Sequence, residues 1–232
     1  MKTYLIIGES GGIGSAVSLL LTSQGNTVYG TYNNNEKTTT NPTIQRHHLN
    51  VLDEELNLDF LPDQIDGLVY CPGSINLKPF KQLNDQDFLN DYQLNVLGAV
   101  KVIREVLPKL KKSGEGSIVL FSTAAVKMGF NFHSTVSSSK GAIEGLTKAL
   151  AAEFAPKVRV NCIAPSITHT PLADKLLNTD KKMEANAKRH PLQRVGQPND
   201  IASAVSFLLS QESAWMTGEI LHIDGGITTI RG

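Results

Sequence analysis

The stretch Tyr4-Leu5-Ile6-Ile7-Gly8-Glu9-Ser10-Gly11-Gly12-Ile13-Gly14 decides the fold of this chain. Its four apolar residues predict a buried strand, and residues 13–24 have the periodicity of a helix. Glycines between a strand and a helix permit a tight turn, and they let the backbone approach a pyrophosphate at the helix N-terminus. The stretch therefore predicts a dinucleotide-binding turn. Its candidate cofactor-binding residues are Gly8, Ser10, Gly12, Ile13 and Gly14.

Short apolar runs and helix-period segments alternate along the rest of the chain. The strand-like runs are 27–30, 45–49, 67–71, 117–121, 158–163 and 219–223. Segments with helical periodicity are 85–107, 136–154 and 199–210. This alternation predicts an α/β fold with a doubly wound, mainly parallel sheet and helices on both faces. The sequence has no internal repeat and no linker, so we expect residues 1–232 to form a single domain.

The composition excludes several classes of partner. Lys plus Arg equals Asp plus Glu at 22 each, so no basic field predicts binding to nucleic acid or to an anionic membrane surface. The two cysteines, Cys71 and Cys162, lie in apolar runs and suit a reducing compartment. No stretch of 18 apolar residues predicts a membrane span. We therefore expect a cytoplasmic protein, and no cluster of residues predicts a metal site.

Four further segments carry polar or glycine residues at strand ends or on helices. They are Leu49-Asn50-Val51, Gln93-Leu94-Asn95-Val96, 164–170 and 218–226. With the spacing Gly8, Gly12, Gly14, their order resembles the short-chain dehydrogenase/reductase family, and in particular its 3-oxoacyl-carrier-protein reductases. The resemblance implies a single Rossmann-type doubly wound parallel sheet. It also implies dimers or tetramers formed through the long helices at 85–107 and 136–154.

The resemblance implies roles for individual residues. Asn50 and Val51 would lie against adenine, Asn95 would position the catalytic Lys140 through a water, and residues 164–170 would hold the nicotinamide carboxamide. The remaining candidate cofactor-binding residues are Asn50, Val51, Pro72, Gly73, Lys140, Pro165, Thr168 and Thr170. The candidate catalytic residues are Asn95, Thr123 and Lys140.

The chain departs from the family pattern at four places. Tyr70-Cys71-Pro72-Gly73 stands where the family commonly has Asn-Asn-Ala-Gly, and Ser166 replaces a glycine beside the nicotinamide. Thr123 stands at the position of the catalytic serine and keeps a hydroxyl. Val136, four residues before Lys140, occupies the position of the tyrosine in the family's Tyr-x-x-x-Lys pair. That tyrosine is the proton donor of the family, and valine has no proton to give.

This last departure matters because hydride transfer to a carbonyl carbon creates an alkoxide that an acid must neutralise. Losing a general acid costs roughly 10²–10⁴ in rate. Replacement donors are Thr123, Ser137, a water held by Thr123 and Lys140, a group of the substrate, or His133, whose pKa range suits proton transfer. The phenols of Tyr70 and Tyr92 are expected to pack rather than to react.

The choice of cofactor is only partly encoded. An acid at the end of the second strand would bind the ribose 2′-OH and favour NAD, but Thr31-Tyr32-Asn33-Asn34 contains none. Many NADP-using relatives have arginine where this chain has Gly11, which leaves Lys37 or backbone amides as phosphate partners. The balance slightly favours NADP, with NAD as the alternative.

Three functional hypotheses remain open. The first is an NAD(P)-dependent oxidoreductase that acts on a small carbonyl or alcohol substrate, enclosed by residues 170–197, with an unusual proton donor. The second is a catalytically impaired cofactor-binding sensor or structural subunit of an oligomer. The third is a lyase or isomerase that uses Lys140 and the bound cofactor differently.

Overall fold

The strands of the chain pair in parallel and build one sheet. The structure, a computed structural model, describes residues 1–35 and 43–230. Within these residues the strands are β1 (Thr3–Ile7), β2 (Thr27–Tyr32), β3 (Ile44–His48), β4 (Gly67–Tyr70), β5 (Gly116–Phe121), β6 (Val158–Pro165) and β7 (Ile220–Ile223). Their order in the sheet is β3-β2-β1-β4-β5-β6-β7. The order reverses between β1 and β4, and open parallel sheets bind ligands at such a switch point.

Helices connect the strands and cover both faces of the sheet. They are α1 (Gly12–Ser23), α2 (Asp85–Tyr92), α3 (Gly98–Ser113), α4 (Ala124–Lys127), α5 (Ser134–Phe154), α6 (Asp174–Leu177), α7 (Asp180–Ala187) and α8 (Pro198–Leu209). A π-helical turn (Gln93–Leu97) joins α2 to α3. Single 3-10 turns lie at Phe80–Gln82, Pro171–Ala173 and Gln211–Ser213.

Two apolar clusters, one on each face, hold the helices to the sheet. Successive side chains of a strand point to opposite faces, so Leu5 and Ile7 belong to one cluster and Tyr4 and Ile6 to the other. The first cluster packs under α3 and α5, and the second packs under α1 and α8. Burying a side chain such as Leu5 contributes about 1.5–3 kcal/mol, which explains the continuous apolar runs in the central strands. The predicted doubly wound parallel sheet is confirmed.

The predicted element boundaries differ from the structure mainly at the second long helix. The segment 85–107 is not one helix but α2, the π-turn and α3, and α3 continues to Ser113 because Gly114, with φ of 76°, ends it. Lys37 lies outside the described residues. No helix in the described ranges is long and apolar enough to cross a membrane. The single-domain assignment stays a prediction.

The segment between β6 and α8 forms a lid over the carboxyl ends of the strands. Its two ends are tied together, since the His169 amide donates to the Gly196 carbonyl (2.8 Å) and the Gly196 amide to the Ile167 carbonyl (3.1 Å). Helices α6 and α7 pack on a small cluster of their own around Leu177 and Val195. The lid therefore has an anchored base beside the end of β6.

Candidate active site

The turn after β1 has the geometry that the sequence predicts. Gly8 adopts φ of +77°, a left-handed conformation that side chains disfavour. A Cβ on Gly14 would lie 2.3 Å from the Gly8 carbonyl oxygen, so only glycine permits this approach. No side chain of the described residues caps α1, whose N-cap residue is Gly11. Its first amides are therefore free to bind an anion.

A buried ion pair, which sequence reasoning missed, lies against this turn. The Glu9 carboxylate accepts two hydrogen bonds from the Arg46 guanidinium of β3, at 2.8 and 3.1 Å. The Glu9 side chain is 1% exposed and that of Arg46 is 12% exposed. The Glu9 backbone amide also donates to the Thr31 carbonyl oxygen (2.8 Å). The turn is therefore held from below by β2 and β3.

A groove of about 320 Å³ runs over the turn, between the ends of β1, β2 and β4. It brings together the predicted residues Gly8, Ser10, Gly12, Ile13, Gly14, Asn50, Val51, Pro72, Gly73 and Thr170. The end of β2 contributes Thr31, Tyr32 and the asparagines 33–35 to its lining. None of these described groups at the end of β2 is a carboxylate that could bind a ribose 2′-OH.

A second cavity of about 290 Å³ adjoins the groove under the lid. Ile13, Cys71, Gly73, Thr170 and Leu172 line both spaces, so the groove and the cavity are direct neighbours. The remaining predicted site residues found in this cavity are Thr123, Lys140, Pro165 and Thr168. Most of its other lining is apolar, with the side chains of Ile75, Leu77, Phe121, Phe130 and Leu176. The cavity therefore suits a substrate with an apolar body.

Lys140 and Asn95 meet beside Gly73. A Cβ on Gly73 would lie 3.4 Å from Asn95 Oδ1 and 3.6 Å from Lys140 Nζ, so both side-chain atoms lie close to the same position beside Gly73. Asn95 Nδ2 donates to the Asp91 carbonyl oxygen (2.9 Å), while its buried Oδ1 has no donor within the described part of the chain. That free acceptor suits the water-mediated link to Lys140 that the family resemblance implies.

Burial lowers the pKa of Lys140 to about 8, against the opposing influence of nearby groups that include Asp91. Lys140 is 8% exposed on α5. Desolvation disfavours an ammonium, and a negative charge nearby favours it. At neutral pH Lys140 is therefore mostly protonated, with a pKa close enough to the working range to respond to ligands.

The Asp91 carboxylate joins three elements and was not anticipated from the sequence. It is 4% exposed. It accepts a hydrogen bond from Ser139 Oγ on α5 (2.5 Å) and another from the Ser74 hydroxyl on the loop after β4. Ser139 precedes Lys140 in the chain, so this network fixes the part of α5 that carries the lysine. The only available signal was the position of Asp91 four residues before Asn95.

Val136 is 8% exposed and lines the cavity, as Lys140 does. Of the possible replacement donors, Ser137 donates a hydrogen bond from its hydroxyl to the Ala125 carbonyl oxygen (3.2 Å), so this hydroxyl is already engaged. Thr123 Oγ1 accepts from the Ala125 amide (3.3 Å) and keeps its own proton for a ligand. His133 lines the cavity, and its Nδ1 contacts the Asn131 carbonyl (2.7 Å). Since a carbonyl only accepts, Nδ1 carries a proton.

Tyr70 and Cys71 are held in their neutral forms. The Tyr70 hydroxyl donates to the Leu94 carbonyl (2.6 Å), and burial raises its pKa. Burial also raises the pKa of Cys71 to about 12, although Lys140 opposes the shift. Tyr92 lies 43% exposed on α2. Tyr70 thus packs against the π-turn, where Asn95 lies. Its hydroxyl is engaged there and is not a proton donor to a ligand in the cavity.

Known proteins resemble the chain along nearly its whole length. The family model described as Enoyl-(Acyl carrier protein) reductase matches residues 7–228. A 3-oxoacyl-(acyl-carrier-protein) reductase of Rickettsia felis is 31% identical over 237 residues, which cover 99% of this chain and 98% of that protein. A tropinone reductase homolog of Arabidopsis thaliana is 37% identical over 180 residues, covering 75% of this chain and 58% of that protein.

Solved structures give the same result. The ligand-free aldohexose dehydrogenase of Thermoplasma acidophilum superposes with a TM-score of 0.91 at 26% identity, covering 99% of this chain and 95% of its own. The structure of ElxO with NADP bound superposes with a TM-score of 0.90 at 29% identity, covering 99% of this chain and 100% of its own. The likeness therefore extends over both the groove and the cavity.

Proposed function

The chain belongs to the short-chain dehydrogenase/reductase family, and from this premise we propose that it is an NAD(P)-dependent oxidoreductase acting on a carbonyl or alcohol substrate. The observation that carries the proposal is that the groove over the glycine turn adjoins the cavity lined by Lys140 and shares five lining residues with it. This adjacency would let one end of a dinucleotide reach the space beside the lysine. Relatives with reductase or dehydrogenase names support the same reaction type.

The groove fits a dinucleotide on structural grounds. The uncapped start of α1 suits a pyrophosphate, and Val51, 5% exposed, offers an apolar surface for an adenine. We favour NADP over NAD because the described residues at the end of β2, up to Asn35, supply no carboxylate to the groove. An NADP-bound structure among the similar proteins, that of ElxO, supports this preference.

The nicotinamide cofactor would supply the hydride, and the residues of this chain would orient and stabilise the reacting groups. Pro165, Thr168 and Thr170 line the cavity that Lys140 also lines, and there they would orient the carboxamide. The Thr123 hydroxyl, free to donate, would bind the carbonyl oxygen of the substrate. Lys140, charged at neutral pH, would stabilise the negative charge that develops on that oxygen. Asn95 would hold the lysine in place through its free Oδ1.

The active site that we propose is atypical because Val136 places a methyl surface where the family uses a phenol. The proton for the substrate oxygen must then come from another group. The same valine favours a second candidate function, a cofactor-binding sensor or structural subunit in which turnover is impaired. Both proposals require dinucleotide binding, and they differ in turnover.

The experiment that tests the proposal begins with NADPH and NADH titrations by calorimetry. It continues with steady-state assays on a panel of ketones, aldehydes and alcohols. We expect binding with a preference for NADPH and measurable reduction of a carbonyl. Absence of binding of either dinucleotide at millimolar concentration would refute both candidate functions.

Val136→Tyr, compared with Val136→Phe, separates the two candidates. In an enzyme that has its own donor, either ring overpacks the cavity at a cost of about 1–3 kcal/mol, and reduction falls in both variants. In an impaired subunit, the phenol alone supplies the missing acid, and Val136→Tyr gains roughly 10²–10⁴ in rate while Val136→Phe gains nothing. In steady-state assays on the same carbonyl panel, Val136→Tyr should therefore lower the reduction rate if the protein is an active enzyme and raise it if the protein is an impaired subunit.

We also propose a homodimer or homotetramer built through α2, α3 and α5. Leu89 and Tyr92 on α2 and Leu97 on the π-turn are 52%, 43% and 44% exposed. Exposed apolar side chains grouped on one surface favour association. Light scattering at micromolar concentration tests this proposal, and a monomer would refute it.

A further inference from the structure

A serine and a histidine to which the family resemblance gives no catalytic role face each other at the edge of the cavity. Ser166 Oγ lies 2.8 Å from His190 Nε2, and His190 Nδ1 lies 2.8 Å from the Asn186 carbonyl oxygen. Ser166 follows β6, while His190 lies on the lid just beyond α7. The contact therefore joins the end of β6 to the part of the lid after α7, beside the cavity that Lys140 lines.

The Asn186 contact fixes the direction of the hydrogen bonds. A carbonyl oxygen only accepts, so His190 Nδ1 carries a proton in both charge states of the ring. In the neutral ring Nε2 is an acceptor, and the Ser166 hydroxyl donates to it. When the ring is charged, Nε2 donates to Ser166 Oγ, and the serine proton is free to point into the cavity. The charge state of the ring therefore decides the direction of the hydrogen bond between Ser166 and His190.

Ser166 and His190 line the same cavity as Thr123, Lys140 and Val136. Ser166 is half-buried, whereas His190 is 3% exposed. Both also line a neighbouring cavity of about 410 Å³ on the other side of the lid base. Both residues thus border the cavity, and Ser166, the more exposed of the two, can reach a ligand there while it contacts the imidazole.

We propose that Ser166 is a proton donor to the substrate oxygen and that His190 acts through it as a positioning and relay residue. The inference deepens the proposed function and rests on it. The nicotinamide cofactor would supply the hydride for the new C–H bond, which would leave the substrate oxygen as an alkoxide. The alkoxide takes the Ser166 hydroxyl proton, and Ser166 Oγ takes the Nε2 proton of the charged ring. His190 is left neutral with its Nδ1 proton, and it regains the other proton from solvent.

Other charged groups surround His190 and belong to the pH behaviour. Besides His190, the ionisable side chains of the described residues in the cavity with Lys140 are those of Lys140, Cys71, His133 and Arg189. In the neighbouring cavity they are those of Arg194, Asp200 and Asp224. Arg194 and Asp200 pair with each other, and the Asp224 carboxylate accepts from Thr228 and from the Gly226 amide. A Cβ added to Gly225 would lie 3.3 Å from the His190 ring, so the backbone of Gly225 packs against this ring. Asp224 is the residue before Gly225, and its carboxylate is therefore the one attached closest along the chain to the backbone that packs on His190.

The test uses the full chain with NADPH and two carbonyl probes, ethyl acetoacetate and diacetyl. Ser166→Ala is compared with Ser166→Thr, which keeps a hydroxyl, and with His190→Gln, which keeps a hydrogen-bonding partner but cannot titrate. We expect Ser166→Ala to lower kcat by roughly 10²–10⁴ with unchanged NADPH affinity. Ser166→Thr should retain much more activity than Ser166→Ala.

The pH profile separates proton relay from simple anchoring of the lid. If His190 recharges Ser166, kcat of the wild type falls as pH rises through the titration of the imidazole, and His190→Gln loses this dependence. A structural role would lower activity equally at every pH. Nitrogen-15 NMR of the histidine rings adds a readout without turnover, in which His190 must have its proton on Nδ1 when neutral.

The outcomes are distinguishable from failure of the proposed function. A wild type that binds NADPH but reduces neither probe overturns the relay together with the reductase assignment. A wild type that reduces a probe, with kcat and pH profile unchanged in Ser166→Ala, overturns the relay and leaves the reductase assignment intact. A neutral His190 with its proton on Nε2 also overturns the relay, whatever the activity.

Discussion

Replacing Arg46 by leucine should destabilise the protein by about 3–5 kcal/mol. This is the usual cost of removing one partner of a buried ion pair and leaving the other charge uncompensated. The Glu9 carboxylate is 1% exposed and loses both of its guanidinium hydrogen bonds, so solvent cannot replace them. For a chain of this size, each kcal/mol lowers the melting temperature by about 2–4 °C, which gives a decrease of about 6–20 °C.

The assay is reversible denaturant unfolding, analysed as a double-mutant cycle with Glu9→Leu. The double variant should recover most of the loss, because replacing a whole buried pair by apolar residues is often neutral or stabilising. Lys188→Leu, which breaks an exposed pair with Glu184, is the matched control and should change stability by less than about 1 kcal/mol. If Arg46→Leu costs no more than this control, or if the double variant is no more stable than Arg46→Leu, the reasoning is refuted.

Two further predictions concern the turn and the stability at low pH. Gly14→Ala should abolish dinucleotide binding because its Cβ would lie 2.3 Å from the Gly8 carbonyl, whereas Gly145→Ala, which meets nothing within 4 Å on α5, should bind normally in calorimetry. Burial lowers the pKa of His47, so below about pH 6.5 the unfolded chain takes up a proton that the folded chain refuses, and the free energy of unfolding falls. His47→Phe, which can keep the stack on Phe60 at 3.9 Å, should weaken that dependence in urea titrations, and an unchanged slope would contradict the assignment to His47.

The sequence was sufficient where the determining interactions are local. The glycine turn, the strands and the helix that carries Lys140 follow from periodicity and from steric limits within a few residues. The pair Glu9 and Arg46 could not be predicted, because 37 residues separate its members and the register of β2 with β3 brings them together. Helices α6 and α7 were also missed, since few apolar residues reveal their faces.

The active-site residues divide in the same way. Asn95, Thr123 and Lys140 could be proposed from family spacing, and the structure brings Asn95 and Lys140 to Gly73 and places Thr123 in the cavity that Lys140 lines. Ser139 and Asp91 could not be joined from the sequence because their contact depends on how α5 packs against α2. The contact between His190 and Ser166 depends on how the lid folds back against the end of β6, a geometry that no sequence pattern gives.

The π-helical turn at Gln93–Leu97 makes the site sensitive to the number of residues in the chain. The Gly98 amide bonds to the Gln93 carbonyl five residues earlier, so this turn contains one residue more than an α-helix would. Removing a single residue here would convert it to an ordinary helical turn and rotate one helix relative to the other by about 100°. Asp91 and Asn95 could then no longer both meet α5 while α3 keeps its apolar face on the sheet. Substitutions in this region are thus expected to be tolerated far better than a one-residue insertion or deletion. Such a change in length could leave the fold intact and still remove the contacts that position Lys140.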